Sequence, residues 1–196
     1  MSEFDLGTVA FLVIGVLVLL GWYLSYSAAR LDRLHAKVEG AMSVLDAQLV
    51  RRAEASLELA ASGALDPASA LLLADAASAA AERQTEHPLT EDFLDGQHFA
   101  GRESVESDLT RALDAALSPD TVTLARAEDE DTGDVLARVE ASALRVQLAR
   151  RFHNDAVAEV RRVRGKTVVR VFRLAGHAAL PEAVQFDDEL PSGLRS

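Results

Sequence analysis

The densest run of chemically capable side chains is Arg150-Arg151-Phe152-His153-Asn154-Asp155. A histidine beside an amide and a carboxylate is raw material for acid–base work, because imidazole titrates near neutrality. On a helix, however, adjacent positions point about 100° apart, so His153, Asn154 and Asp155 cannot converge on one atom. Asp155 follows Arg151 by four residues and Asn154 follows Arg150 by four, which places the two pairs on neighbouring stripes. An ion pair in that order is worth a few tenths of a kcal/mol at most. The pattern predicts interhelical hydrogen bonding, with Asp46, Gln48 or Arg52 of the first helix as candidate partners; an anion or peptide pocket between the same helices is the alternative.

The remaining reactive residues make no constellation. His35, His87, His98 and His177 lack the H-x-x-x-H or H-E-x-x-H spacing of a metal site. The Glu128-Asp129-Glu130-Asp131 run fails a calcium-loop test in both frames. Counting from Glu128 puts Val139 at the twelfth position, and counting from Asp129 moves Gly133 off the sixth. A solvated loop is expected there. Gly165-Lys166-Thr167 lacks the upstream glycine and strand of a phosphate loop, and no G-x-G-x-x-G or G-x-S-x-G motif occurs. Cysteine is absent, which excludes disulfides, thiolate metal sites and thiol catalysis. The basic residues form one patch in an acidic chain, with Phe152 and Phe172 alone near it for stacking, which argues against nucleic-acid binding. The expectation is no catalytic residue, no metal ligand and no cofactor.

The elements that carry these residues begin with an uncharged, mostly apolar run from Leu6 to Ala29. Its 24 residues reach roughly 36 Å as a helix, enough for a hydrocarbon core of about 30 Å with some tilt. Trp22, Tyr23 and Tyr26 near its end suit an interfacial aromatic belt. A cleaved signal peptide would have a basic start and a shorter apolar region; Glu3 and Asp5 precede this one. No Lys or Arg comes before the run, whereas Arg30, Arg33 and Lys37 follow it, so the positive-inside rule predicts an outside N-terminus and a cytoplasmic body. The glycines of the run, Gly7, Gly15 and Gly21, are spaced by eight and six and give no G-x-x-x-G dimer motif, although homo-oligomerisation through the anchor stays open.

After the anchor, Leu31, Leu34, Val38, Ala41, Leu45 and Leu49 alternate at spacings of three and four, which predicts one helix with a buried stripe to about Ser62. Gly63 should end it, and Asp66-Pro67 should start the next helix, to about Arg83. A loop is expected over 85–101 and a third helix over Ser104–Leu117, broken at Ser118-Pro119. A last long helix is expected from about Asp134 to Val163, with Leu136, Val139, Ala143, Val146, Phe152, Val157 and Val160 inside. The β-branched stretch Thr167–Arg173 reads as a short strand, an irregular piece or an interfacial segment. Residues 178–196, acidic and holding Pro181 and Pro191, read as a disordered tail.

Charge is segregated along this body. Residues 61–135 carry 17 acids against 4 arginines, and residues 136–177 carry 10 basic residues against 3 acids. Mutual neutralisation of the two segments is one expectation. The other follows from helix parity. If the last helix returns toward the membrane, Arg161, Arg162, Arg164, Lys166, Arg170 and Arg173 come near lipid headgroups, where each contributes about 1 kcal/mol on an anionic leaflet.

Two blocks carry a family resemblance. Arg33-Leu34-His35-Ala36-Lys37-Val38-Glu39-Gly40-Ala41 leading into Leu45-Asp46-Ala47-Gln48-Leu49-Val50-Arg51-Arg52 resembles the first helix of LemA family proteins, and Val139-Glu140, then Arg145-Val146, then Ala149-Arg150-Arg151-Phe152-His153-Asn154-Asp155-Ala156-Val157 is similar to their ARRFYNxxV helix. Together they cover about 40 of the 196 residues. The chain departs from the family pattern at Met42, where Trp is usual, at Glu54–Ala60, at His153, where Tyr is usual, and at Arg164-Gly165-Lys166. The resemblance implies an anchored helical bundle with an outside N-terminus, and a packing role for His153; it brings no biochemical activity with it.

The sequence thus predicts an all-α chain: a short extracytoplasmic N-terminus over 1–5, a transmembrane anchor over 6–29, an antiparallel, coiled-coil-like bundle of about four helices over 30–177, and an acidic tail over 178–196. Arginine outnumbers lysine 18 to 2 and alanine is abundant, a bias that suggests a bacterial inner or plasma membrane. The expected function is a non-enzymatic scaffold or adaptor whose partners are the lipid bilayer and another membrane or cytoplasmic protein. The competing expectation is a membrane-bound enzyme or regulatory subunit with a polar site between helices.

Overall fold

The computed structural model describes residues 6–86, 99, 101–128, 130–172 and 179–195. These residues form six α-helices and no strand: α1 (Leu6–Ala61), α2 (Pro67–Glu86), α3 (Arg102–Ala116), α4 (Pro119–Glu128), α5 (Glu130–Arg164) and α6 (Thr167–Val171), followed by an irregular segment that ends in a 3₁₀ turn at Ser192–Leu194. Of the stretch Thr167–Arg173, considered as a short strand, Thr167–Val171 is a helical turn instead, set off from α5 at Gly165.

Helix α1 has two surfaces in succession. From Val9 to Tyr26 its large apolar side chains, apart from the half-buried Leu24, are exposed on all sides, and this part is long and apolar enough to cross a membrane by length and composition. Trp22 and Tyr26 stack one turn apart, with ring centroids 6.3 Å apart. From Leu31 onward a single stripe is buried, through Leu34, Val38, Met42, Leu45 and Leu49. Met42, rather than Ala41, carries the stripe between Val38 and Leu45. Nothing interrupts the helix between the two parts. Beyond Arg30 the helix extends about 46 Å at 1.5 Å per residue.

Local chemistry accounts for the first junction. Gly63 has φ of 84°, the left-handed conformation that costs glycine least. Asp66 then caps α2, its Oδ1 accepting the amides of Ala68 and Ser69 at 3.0 and 3.1 Å. The contacts of Ser69, by hydroxyl and amide, and then of Ala68 hold the Asp66 carboxyl below its ordinary value.

Helix α5 runs back along α1. Arg138 near its start donates to Glu58 near the end of α1 at 3.0 and 2.7 Å, and Glu159 near its end accepts from Lys37 at 2.9 Å. The inner stripe of α5 passes through Val139, Val146, His153 and Val160, each heptad step on the same face. Phe152, expected inside, is 58% exposed, because it lies one position off that stripe. The acidic run expected as a loop joins two helices: Glu128 ends α4, while Glu130 and Asp131 stand in the first turn of α5, where the helix dipole favours them. Asp129 lies outside the described residues.

The core has three levels. Farthest from the apolar run, α1, α2, α3, α4 and the start of α5 bury a cluster that includes Leu59, Leu73, Leu109, Leu113 and Leu136. In the middle, Met42, Leu45 and Leu49 of α1 meet Val146 and Ala149 of α5. Nearest the apolar run, Leu31, Leu34 and Val38 meet Val157, Val160 and Val163, with Val169 of α6 added. In the middle level a tail fills the space beside α1 and α5: Val184 and Phe186 belong to that cluster, as does Phe99.

Of the tail expected to be disordered from acidity and proline, residues 179–195 are described, and they form an irregular segment packed on the helices. Pro181, Val184, Phe186, Asp188, Pro191 and Leu194 are buried, and Gln185, Asp187 and Glu189 between them are exposed.

Candidate functional site

Between α1 and α3 lies a buried charge network. Arg52 and Glu106 are 2% and 0% exposed, and Arg52 Nη2 donates to Glu106 Oε2 at 2.7 Å and to the Glu106 carbonyl at 3.0 Å. Arg102, at the first position of α3, donates to Asp46 Oδ1 at 2.5 Å and brings its Nε within 3.5 Å of Glu106 Oε1. Two guanidinium groups and two carboxylates thus cancel in a place where an isolated charge would be prohibitive. Both Arg52 and Asp46 sit on α1 at helical spacing from the apolar stripe, so the same helix that builds the core presents the network.

Network and tail are joined through one hydroxyl. Thr110 Oγ1 accepts from Arg52 Nη1 at 3.0 Å and donates to the Asp187 carbonyl at 2.6 Å. Phe186 lies against the same arginine. Its ring centroid is 5.8 Å from the Arg52 guanidinium carbon and 5.5 Å from that of Arg150, and it stacks on Phe99 at 6.0 Å. Arg102 stands 5.4 Å from the Phe99 ring. Arginine over an aromatic face is favourable, more so when desolvated.

Side chains of two helices hold the tail along its whole described length. On α5, Arg164 donates to the Ala179 carbonyl at 2.7 Å and Arg161 to that of Pro181 at 2.8 Å. Asn154 takes both main-chain groups of Val184, accepting its N–H at 2.9 Å and donating to its carbonyl at 3.0 Å. Arg150 grips the Asp188 carboxylate through two bonds of 2.6 and 2.8 Å, and Gln147 donates to the Asp188 carbonyl at 2.6 Å. On α3, Glu103 accepts the Gln185 amide, Ser107 accepts the Asp187 amide and Asp114 accepts the Ser192 amide, at 2.7, 3.0 and 2.7 Å. That bond from Ser192 holds the Asp114 carboxyl below its ordinary value. The segment runs antiparallel to α5 and parallel to α3. Residues 179–188 run along α5 from Arg164 to Gln147, about 26 Å, so the chain there is largely extended.

The hydrogen bonding expected of Arg150 and Asn154 is present, yet its partner is the tail rather than α1. His153 is 2% exposed, with Nε2 3.4 Å from the Glu182 carbonyl, and burial lowers its pKa from 6.5. This is a neutral, packed imidazole. Arg151 and Asp155 are exposed. Among the described residues, no group of three or more His, Asp and Glu side chains is arranged to hold a metal ion.

The basic set divides by environment. Val163 and Val169 pack on Leu31, two residues beyond the apolar run, so Arg162, Lys166 and Arg170, all exposed, stand at that end of the molecule. Arg161 and Arg164 instead spend donors on the tail. Arg173 lies outside the described residues. Among the described residues, the ion pairs of α5 run to Glu58 and Lys37 of α1, to Asp188 of the tail and, from its Glu140, to Arg126 of α4 at 3.7 Å.

Comparison of the chain with protein-family models, with curated proteins and with solved structures finds no match in any of the three.

Proposed function

We propose that this chain is a single-pass, LemA-like membrane protein of the bacterial cytoplasmic membrane, whose antiparallel helical bundle works on the cytoplasmic side as a non-enzymatic scaffold or adaptor. The observation that carries this is the continuity of α1: an all-round apolar, exposed surface passes into a one-sided buried stripe with no break in the helix. A rigid rod of this kind presents a folded body at a fixed height and direction above a bilayer. The carboxylates that do converge, Asp46 and Glu106, both take guanidinium donors from Arg102 or Arg52 inside the protein. That supports structural service over acid–base work and favours the scaffold over the enzyme or regulatory subunit.

In this arrangement Arg162, Lys166 and Arg170 lie where headgroups begin. The test uses the full chain reconstituted in anionic vesicles, with one fluorophore on Lys166→Cys or, as the distal control, on Asp66→Cys; the natural chain has no cysteine. A quencher attached to lipid headgroups should dim the label at 166 and leave that at 66 bright. Equal quenching at both positions would contradict the geometry.

A further inference from the structure

In a helical protein the backbone normally satisfies itself within each helix. Here a segment without secondary structure has its main chain bound by side chains of two helices. Asn154 takes both main-chain groups of Val184, Ser107 and Thr110 take both of Asp187, and Gln147, Arg161, Arg164, Glu103 and Asp114 take one each. Such contacts accept almost any residue, as when an extended peptide lies in a groove. Specificity is supplied at three alternate positions. Val184 enters the apolar middle level, Phe186 lies among Phe99, Arg52 and Arg150, and Asp188 meets Arg150 through two bonds. Gln185, Asp187 and Glu189 face outward. Charge is complementary at one of these positions, where Asp188 pairs with Arg150, whereas the outward Glu189 pairs with Arg195 of the segment itself.

We propose that the groove formed by α1, α3 and α5 is a peptide-recognition site for a partner protein, that its ligand is an extended acidic segment with apolar, aromatic and aspartate residues at alternate positions, and that residues 179–195 occupy it in cis. This rests on the adaptor reading and names the chemistry of the adaptor's partner. The tail then sets a threshold: a partner binds only if its segment, or its local concentration, outcompetes a ligand carried on the same chain.

The test compares the full chain with one ending at residue 178, both in detergent micelles, using a fluorescent synthetic peptide of residues 179–195 as the probe. The shortened chain should bind it saturably. Replacing Phe186→Ala or Asp188→Asn in the peptide should weaken binding about tenfold or more, while Gln185→Ala changes it by less than about twofold. The full chain should bind the probe about tenfold or more weakly than the shortened one, because its groove is filled. If the shortened chain does not fold alone, recovery of its helical circular dichroism on adding the same peptides replaces binding as the readout, with the same order expected. Absence of both saturable binding and recovery, or binding indifferent to Phe186 and Asp188, overturns the proposal. So does a full chain carrying Asn154→Cys and Val184→Cys that oxidises only to interchain dimers, since a second copy would then fill the groove. Retention and topology in the membrane are read separately, so failure here leaves the adaptor reading standing on another surface.

Discussion

Two buried groups illustrate how single side chains are committed in this molecule. Glu106 is enclosed with Arg52, and removing one partner of such a pair strands the other charge. Glu106→Ala should cost about 3–5 kcal/mol, read as a fall in thermal midpoint, whereas the double replacement Arg52→Met with Glu106→Leu should cost less than either single change. A double variant as unstable as the sum of the singles would show that the two do not act as a pair. His153 gives a pH signature. Burial lowers its pKa from 6.5, so between the folded and unfolded values the unfolded chain binds more protons, and stability rises with pH across that window. Below about pH 6.5 the fold should lose stability. His35, lowered by burial and then by Arg164, acts in the same direction. The carboxyl groups held low, such as Asp66 and Asp114, titrate below their ordinary 3.8 and leave this range clear. His153→Phe should flatten the decline between pH 7 and 5 in thermal melts; an unchanged slope would assign it elsewhere. The Arg52–Glu106 pairing is not visible in the sequence, and the packing of His153 was implied only by the family resemblance. Arg52 and Glu106 lie 54 positions apart and look like solvated charges, and His153 differs from exposed Phe152 by a single helical step.

At the scale of elements, what could be read in advance was what local chemistry determines. The α1 stripe, the Gly63 stop, the Asp66-Pro67 start and the breaks near Pro119 and Gly165 follow from spacing, capping and left-handed or proline conformations within a few residues. The tail could not be read that way. Its composition is that of a solvated segment, and the groups that order it come from helices tens of residues away; the Ser192 bond to Asp114 spans 78 positions. The alternation of Val184, Phe186 and Asp188 was the available signal, obscured because its third member is charged. Gly193 tests how firmly the tail's end is seated. Its amide donates to the Leu117 carbonyl at 3.0 Å, and a Cβ there would stand 2.5 and 2.6 Å from the carbonyl oxygens of Leu117 and Ser118. Backbone atoms cannot yield as a side chain can. Gly193→Ala should therefore lift Leu194 from the distal core, cost about 1–3 kcal/mol and speed hydrogen exchange at the amides of Ser192 and Gly193, with α5 near Asn154 still protected. Unchanged exchange would mean that this end is not docked as described.

For the whole molecule, the distribution of surface decides the account: one end of α1 is apolar on all sides, the helices that follow bury their stripes on each other, and the tail lies in the groove beside α1. That all-α character was expected from periodicity alone, and the helices number six among the described residues. The central claim is that the apolar run is an anchor and that everything after Ala29 faces the cytoplasm. Its most direct test labels intact cells with an impermeant maleimide, using full chains that carry Ser2→Cys or Ser192→Cys singly in the cysteine-free background. Labelling of the cysteine at position 2 alone, with that at 192 reacting only after the cells are opened, is the predicted result. Labelling at position 192 in intact cells would contradict it and turn the helical body, with its groove and its basic end, toward the outside.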